Sequence, residues 1–454
     1  MTAQDFLKTL KTAKRSIPSA IYSSFEYEQT PIKTLINSAT LSSPTLYDST
    51  HNTISSFLSS LSSHQFNSFI SDPKVKTFDC LRIFNIVLHN QSKLSFKPDI
   101  HAHFTVLCRL IKSKMFSDAE ILLEKLILGP NYRYPFADFI SWVENYCKES
   151  KIITKLLNML LKMYSDHEMF DMAISSFEYM VQNEIERDER TCSVHLYALI
   201  KNDKVDLAFE FFRRMVDTAM DVSVFSLTIV VRGFCQIGEL KIARELVEEM
   251  IKKGVSPNVI TFNTLVDACL RRWEFVELDL VLCLMEKEGI EFNDATYKLL
   301  IEGYSSCDKI DAAKRLLLEM QGRGFEVDTH VYYIVIRGCC RLGFTSIGLS
   351  LLRKMQENDI DPCDGIYQCL IHGMCKDGEM GMLKELVVEL LNKGSEVNKI
   401  VLDALVDGCE KAGMMEEFED LKCILRMNCY PYLDFCPNSF DTELLSITTK
   451  RKIV

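Results

Sequence analysis

The stretch whose reading decides the fold is VITFNTLVDACLRR, Val259 to Arg272. Phe262, Leu265, Val266 and Cys269 fall at i, i+3, i+4 and i+7, which draws one apolar stripe down a helix. A second line, Ile260, Asn263, Asp267 and Leu270, runs beside it with mixed character, and two Arg close the segment. A core face accounts for the first line and not for the second.

The rest of the chain repeats the segment. Small residues stand at Ala198, Gly233, Ala268, Gly303, Gly338, Gly373 and Gly408, each 35 residues from the next. Met180, Met215, Met250, Met285, Met320 and Met355 keep the same spacing, with Leu390 continuing the series. Gly254, Gly289, Gly324 and Gly394 form a third series, with Asp359 in one slot. Three series on one period mark an array of like units. The small residue is expected late in a first helix, where a larger side chain would hold a second helix away. The Met is expected on the buried face of that second helix, and the Gly past its end, where a left-handed residue closes helices. With Val259 as position 1, units begin at Thr154, Glu189, Val224, Val259, Asp294, Thr329, Asp364 and Lys399, and a looser copy begins at Ile100. No such unit buries its own apolar face, and stacking does so. The predicted fold is all-α, a right-handed superhelical solenoid of 35-residue helix-turn-helix repeats.

Composition bounds the function. The chain has 454 residues, 47% of them hydrophobic and 25% charged, as folded proteins do. Its net charge of -11 excludes a protein that coats nucleic acid by bulk attraction, leaving room only for a local basic stripe. Seventeen cysteines lie mostly at apolar helical positions and no secretory signal with a long apolar core precedes them, so thiols rather than disulfides are expected. No apolar run is long enough to span a bilayer, and no membrane insertion is expected. Residues 1–64 are rich in Ser and Thr and open with Lys8, Lys11, Lys14 and Arg15 among apolar residues, a transit-peptide pattern interrupted by Asp5, Glu26 and Glu28; a flexible tail is the other reading. The expected organisation is that leader over 1–64, divergent N-terminal repeats with an irregular spacer over 65–153, tandem repeats over 154–430 and a tail over 431–454.

The stretches SPNVITFNTLVDACLRRWEFVELDLVLCLMEKEGIEFN and VFSLTIVVRGFCQIGELKIARELVEEMIKKGVSPN resemble pentatricopeptide repeats, of the P class and the plant organellar type. The 35-residue period separates them from 34-residue tetratricopeptide repeats. The resemblance covers roughly Ile100 to Tyr430 and implies a solenoid that binds single-stranded RNA in an organelle, about one base per repeat. It implies base reading by positions 5 and 35 and base stacking by position 2. The pairs carried over are Asn158 with Asp188, Ser193 with Ser223, Thr228 with Asn258, and Asn263 with Asn293, and the stacking residues are Phe225 and Ile260. In the family the first pair favours uridine, the third adenosine and the fourth a pyrimidine. Beyond residue 293 the pairs depart from the family pattern: Lys298 with Asp328, Tyr333 with Cys363, Gln368 with Asn398.

Position 13 carries Lys112, Lys201, Arg271, Arg341, Lys376 and Lys411, broken by Asp166, Gln236 and Ser306. Stacked, these cations would form a ladder that tracks phosphates. They equally suit the C-terminal end of a helix, whose dipole cations offset. The chain shows neither the H-x-E nor the C-x-x-C that zinc deamination requires, and Cys235, Cys339, Cys340 and Cys375 fall at core positions. No catalytic residue, metal site or cofactor is expected. The expected role is non-catalytic: RNA processing, splicing, stabilisation or translation in a mitochondrion, with the chloroplast as alternative. The expected partners are single-stranded RNA and other subunits of an organellar ribonucleoprotein. The alternative role is a protein scaffold in such a particle.

Overall fold

The computed structural model describes residues 61–421 apart from 92–93, 130–133, 378–380, 396–398 and 414–420. Residues 1–60, which hold most of the expected leader over 1–64, Asn398 and residues 422–454, which include the expected tail over 431–454, lie outside the described residues. The chain divides into two compact units, 1–187 and 188–454.

The first unit holds α1 (Ser63–Ser71), α2 (Thr77–His89), α3 (Ile100–Lys112), α4 (Phe116–Leu128), α5 (Phe136–Tyr146), α6 (Ser150–Asp166) and α7 (Phe170–Gln182). The looser copy at Ile100 is the antiparallel pair α3 and α4. It packs directly on α6, so the irregular spacer is an insertion between two stacked pairs. Part of that spacer is the helix α5, whose Phe139 and Trp142 rings lie 4.7 and 5.0 Å from the ring of Phe104 on α3. An inserted helix that shares the core explains why the period fails there without the stack being broken.

The second unit is the regular array. Its pairs are α8 (Glu189–Lys201) with α9 (Val205–Asp217), α10 (Val224–Ile237) with α11 (Leu240–Lys252), and α12 (Val259–Arg272) with α13 (Phe275–Lys287). There follow α14 (Asp294–Ser306) with α15 (Ile310–Gly322), α16 (Thr329–Arg341) with α17 (Thr345–Glu357), α18 (Asp364–Asp377) with α19 (Leu383–Asn392), and α20 (Lys399–Ala412). Successive first helices from α8 to α20 pack on one another, and each from α8 to α18 also packs on its own second helix. The core is therefore continuous from pair to pair, as stacking of incomplete units requires.

All three series are visible in the packing. Met215, Met250, Met285, Met320, Met355 and Leu390 are buried at the base of the second helices, where full burial of such a side chain contributes about 1.5–3 kcal/mol. Each of these Met carbonyls also closes its helix: Met250 accepts the Val255 N–H at 3.0 Å, Met285 that of Ile290 at 3.0 Å and Met320 that of Phe325 at 3.1 Å. That six-to-one bond needs a left-handed residue between its ends. Gly254 supplies it with φ 90°, while Ala219 and Asp359 take φ 53° and 56° at the same position without the freedom of glycine.

The small series has a different neighbour from the one the sequence suggested. A Cβ on Gly303 would lie 2.5 Å from Cδ2 of Leu270, and one on Gly233 would lie 2.3 Å from Cδ1 of Ile200. These side chains belong to the first helix of the preceding repeat, not to the unit's own second helix. Where that position is small, as at Ser305, Ile310 at the start of the preceding second helix fills the hollow, 2.4 Å from a Cβ on Gly338. The glycine is thus a socket between repeats. Leu270, read from the sequence as part of the mixed face, is the buried knob that enters it. Among the described residues no helix is long and apolar enough to cross a membrane.

Candidate nucleic-acid interface

Position 35 begins as a helix cap. The side chain of Asp188 accepts the Thr191 N–H at 3.1 Å, Ser223 that of Ser226 at 3.3 Å, and Asn258 that of Thr261 at 3.1 Å. Asn293 accepts the Thr296 N–H at 2.9 Å and Asp328 that of Val331 at 3.0 Å. A short side-chain oxygen just ahead of a helix satisfies one of its orphan N–H groups, which is why Asp, Ser and Asn suit this place.

Position 5, one turn into the first helix, points at the cap region of the next repeat. Asn263 Nδ2 donates to Asn293 Oδ1 at 3.4 Å, and the Thr296 hydroxyl donates to Asn263 Oδ1 at 2.8 Å. The Thr228 hydroxyl lies 2.8 Å from that of Thr261, which donates in turn to Asn258. Ser193 and Ser226 have their hydroxyls 2.6 Å apart, and Lys298 Nζ donates to Asp328 Oδ2 at 2.7 Å. The pairs proposed within the second unit, Ser193 with Ser223, Thr228 with Asn258 and Asn263 with Asn293, therefore meet in one row of slots between successive first helices. Asn158 belongs to the first unit, where it is buried and donates to the carbonyls of Thr154 and Glu186 at 2.8 and 3.2 Å; Asp188 belongs to the second.

A hydroxyl series at position 3, Thr191, Ser226, Thr261 and Thr296, was overlooked in the sequence; Thr191 bonds the cap Asp188, and the other three link positions 5 and 35. Its signal was the same 35-residue spacing. All four are buried and orient the exposed groups, the last three as fixed bridges. Glu189 was missed as well. Its carboxylate sits in the Ser193/Ser223 slot and accepts from the Ser223 hydroxyl at 2.6 Å and the Ser226 hydroxyl at 2.7 Å. Burial works to raise this carboxyl, but the bonds from Ser223, Ser226 and Ser193 outweigh it and hold it below its ordinary value.

The residues expected to stack on bases, Phe225 and Ile260, stand at position 2 of their repeats. Phe225 is 63% exposed and Ile260 59%, both at the first turn of their helices and free to present a flat apolar face. At the next positions stand exposed Ala295 and His330, then Gly365, where the Tyr333 ring approaches so closely that a Cβ would lie 3.1 Å from it.

The position-13 cations all occupy the last turn of a first helix, where they complement the dipole. They differ in what holds them. Lys112, in the first unit, pairs with Glu149 at 2.7 Å. Arg271 is tied to Asp267 at 2.8 Å, Arg341 to Asp308 at 2.7 Å and Lys411 to Asp407 at 3.8 Å. Lys201 and Lys376 are exposed and show no ion pair among the described residues. Exposed pairs of this kind contribute little, about 0–1 kcal/mol, so the paired cations remain able to exchange partners.

The thiols at core positions are unreactive by surroundings. Burial pushes Cys339 up to about 11 and Cys235 and Cys375 up to about 12, which keeps them protonated. Among the described residues no group of three or more His, Cys, Asp or Glu is placed to hold a metal ion.

The family described as the PPR repeat family matches residues 222–271 and 295–341, and the PPR repeat matches 194–217, 260–290, 330–360 and 365–395. A pentatricopeptide repeat-containing protein of Arabidopsis thaliana is 34% identical over 158 residues, which are 34% of this chain and 25% of that protein. A second from the same plant is 29% identical over 168 residues, 36% of this chain and 29% of the relative. The matched region thus spans between a quarter and a third of the length of these curated relatives. Among solved structures, the crystal structure of the maize pentatricopeptide repeat protein PPR10 is similar at 20% identity, covering 82% of this chain and 53% of that one with a TM-score of 0.49.

Proposed function

We propose that this chain, a pentatricopeptide repeat protein, holds single-stranded RNA along the row of slots between its first helices and reads bases there. The observation that carries the reading is the meeting of position 5 with the cap of the next repeat, Asn263 with Asn293 above all, together with the exposed faces of Phe225 and Ile260. Amide and hydroxyl groups fixed by buried bridges can hydrogen-bond a base edge, and an exposed flat side chain can stack on its face. The family preferences carried over within the second unit are adenosine for Thr228/Asn258 and a pyrimidine for Asn263/Asn293; Asn158, buried in the first unit with its amide spent on two carbonyls, is not offered as a reader. Lys201 and Lys376, with the exchangeable cations at Lys112, Arg271, Arg341 and Lys411, would follow the phosphates.

The role is non-catalytic and P-class in type. A strand held this way is shielded from nucleases and kept from folding on itself, which serves processing, splicing, stabilisation or translation of a transcript. The Lys- and Arg-bearing leader supports an organelle, a mitochondrion first and a chloroplast as alternative. Crosslinking the tagged protein in its organelle and sequencing the attached RNA tests the reading. Recovery of proteins alone, with no direct RNA crosslink, would sink it.

A second reading, a scaffold in an organellar ribonucleoprotein, is favoured by one feature. Val276 and Leu280 lie one turn apart at the start of α13, and Trp273 stands in the turn just before it; they are 74%, 44% and 66% exposed. Such an apolar row suits a protein contact.

A further inference from the structure

The slots of the second unit are not equally available, and hydrogen-bond accounting separates them. In the Thr228/Asn258 slot, Asn258 Oδ1 is spent on the N–H groups of Ile260 and Thr261 at 3.0 and 3.1 Å, while its amide nitrogen makes no hydrogen bond among the described residues. The Asn263/Asn293 slot is alike: Asn293 Oδ1 is spent on the Thr296 N–H, and its amide nitrogen makes none. Each slot therefore keeps an unspent donor pair at the position that faces outward from the cap.

The slot before them keeps none. Glu189 Oε1 receives the Ser223 N–H at 3.2 Å, the Ser223 hydroxyl at 2.6 Å, the Ser226 hydroxyl at 2.7 Å and that of Ser193 at 3.1 Å. A hydroxyl carries one proton, so all three Ser donors are consumed inside the protein. The slot after them is different in kind, an exposed ion pair in which Lys298 bridges Asp328 at 2.7 Å and Asp294 at 3.2 Å and keeps one ammonium proton unspent.

Resting on the RNA-binding reading, we propose that Glu189 is a specificity-determining residue of the second unit: it fills the Ser193/Ser223 slot, so that of the three successive slots Ser193/Ser223, Thr228/Asn258 and Asn263/Asn293 only the last two identify their nucleotides. Those nucleotides face Thr228/Asn258 and Asn263/Asn293. Glu189 occupies from within the place of a base edge, and the nucleotide passing Ser193/Ser223 is held without being identified. The closing group is the position-1 side chain, outside the pair that would ordinarily be consulted.

The full chain is incubated with a random single-stranded RNA pool, and retained molecules are sequenced. The variant carrying Thr228→Asn with Asn258→Asp marks the register, because only the nucleotide facing that slot should change its preference. The expected wild-type pattern is bias at the marked nucleotide and at one neighbour, with the other neighbour unbiased. Glu189→Ala frees the Ser223 hydroxyl, while that of Ser193 keeps the main-chain carbonyl of residue 189 as acceptor, and bias of about fivefold should then appear at that other neighbour, the worth of one hydrogen bond. Wild-type bias at three contiguous nucleotides around the mark overturns the proposal, as does a folded Glu189→Ala variant that leaves the pattern unchanged. Should that variant fail to fold, the wild-type pattern alone decides. Retention of no RNA would overturn the RNA-binding reading itself, whereas retention with the wrong pattern overturns only this proposal.

Discussion

Leu270 fills the space that a side chain on Gly303 would need: its Cδ2 lies 2.5 Å from where the Cβ would stand. The two residues belong to successive repeats, so this contact sets how near one first helix comes to the next. Gly303→Ala should destabilise the array by about 1–3 kcal/mol, as overpacking does in a well-filled interior. Pairing it with Leu270→Ala should recover part of that loss, because the methyl then enters the vacated space. Urea melts of the two single variants and the double variant measure the coupling, and strict additivity would show that the contact is not the constraint.

Ala219 stands with φ 53° where Gly254 has φ 90°. A left-handed conformation costs a residue with a Cβ about 1–2 kcal/mol relative to Gly, partly offset by the greater freedom of Gly in the unfolded chain. Ala219→Gly should therefore raise stability by about 0.5–1 kcal/mol, read as a higher urea midpoint at unchanged slope. A lowered midpoint would show that no strain resides at this turn.

Phe225, at position 2 of the repeat that carries Thr228, exposes most of its ring. Phe225→Ala should weaken single-stranded RNA binding by about 1–3 kcal/mol, the range for loss of one stacked base. Because the ring contributes little to the interior, the melting temperature should stay nearly constant. Loss of binding matched by loss of structure would assign Phe225 to packing instead.

Lys201 is exposed and shows no ion pair among the described residues. If it neutralises one phosphate, Lys201→Gln should reduce the slope of log affinity against log salt by about 0.7. Sequence preference should remain as it was. A slope identical to that of the parent chain would leave Lys201 as a helix-end cation only.

His195 is fully buried, with its ring 4.5 Å from that of Phe211. Burial lowers its pKa from 6.5 to about 4. The unfolded chain therefore binds a proton between these values that the folded chain refuses, and stability falls as pH drops through 6.5 toward 4. Unfolding free energies from urea melts between pH 7 and pH 4.5 should decline by on the order of 1 kcal/mol per pH unit at the acidic end, and His195→Phe should flatten that part of the profile.

The frame was legible because stacking imposes it on every unit alike. A Met under the second helix and a small residue in the first recur whatever a repeat binds, so their spacing survives in plain sequence. The turn between the helices was harder to see. Its left-handed residue is Asp203, Trp273 or Asp308 as readily as Gly238 or Gly343, and mixed residue types conceal a uniform backbone. The candidate site was legible only in pairs. Which pair stands open depends on Glu189, a partner that position 5 and position 35 do not reveal. Leu270 shows the same limit in the core: its place on the polar-looking side of α12 is explained only by the hollow in the next repeat.

The cap at position 35 has an evolutionary corollary. Each proposed reader there also starts the helix that follows it, and replacing such a residue with one that cannot cap costs about 0.5–2 kcal/mol. The alphabet for drifting toward a new RNA target is therefore narrowed in advance to Asp, Asn, Ser and their like. A lineage of such repeats can change what it recognises by exchanging letters within that set while its fold remains indifferent to the message.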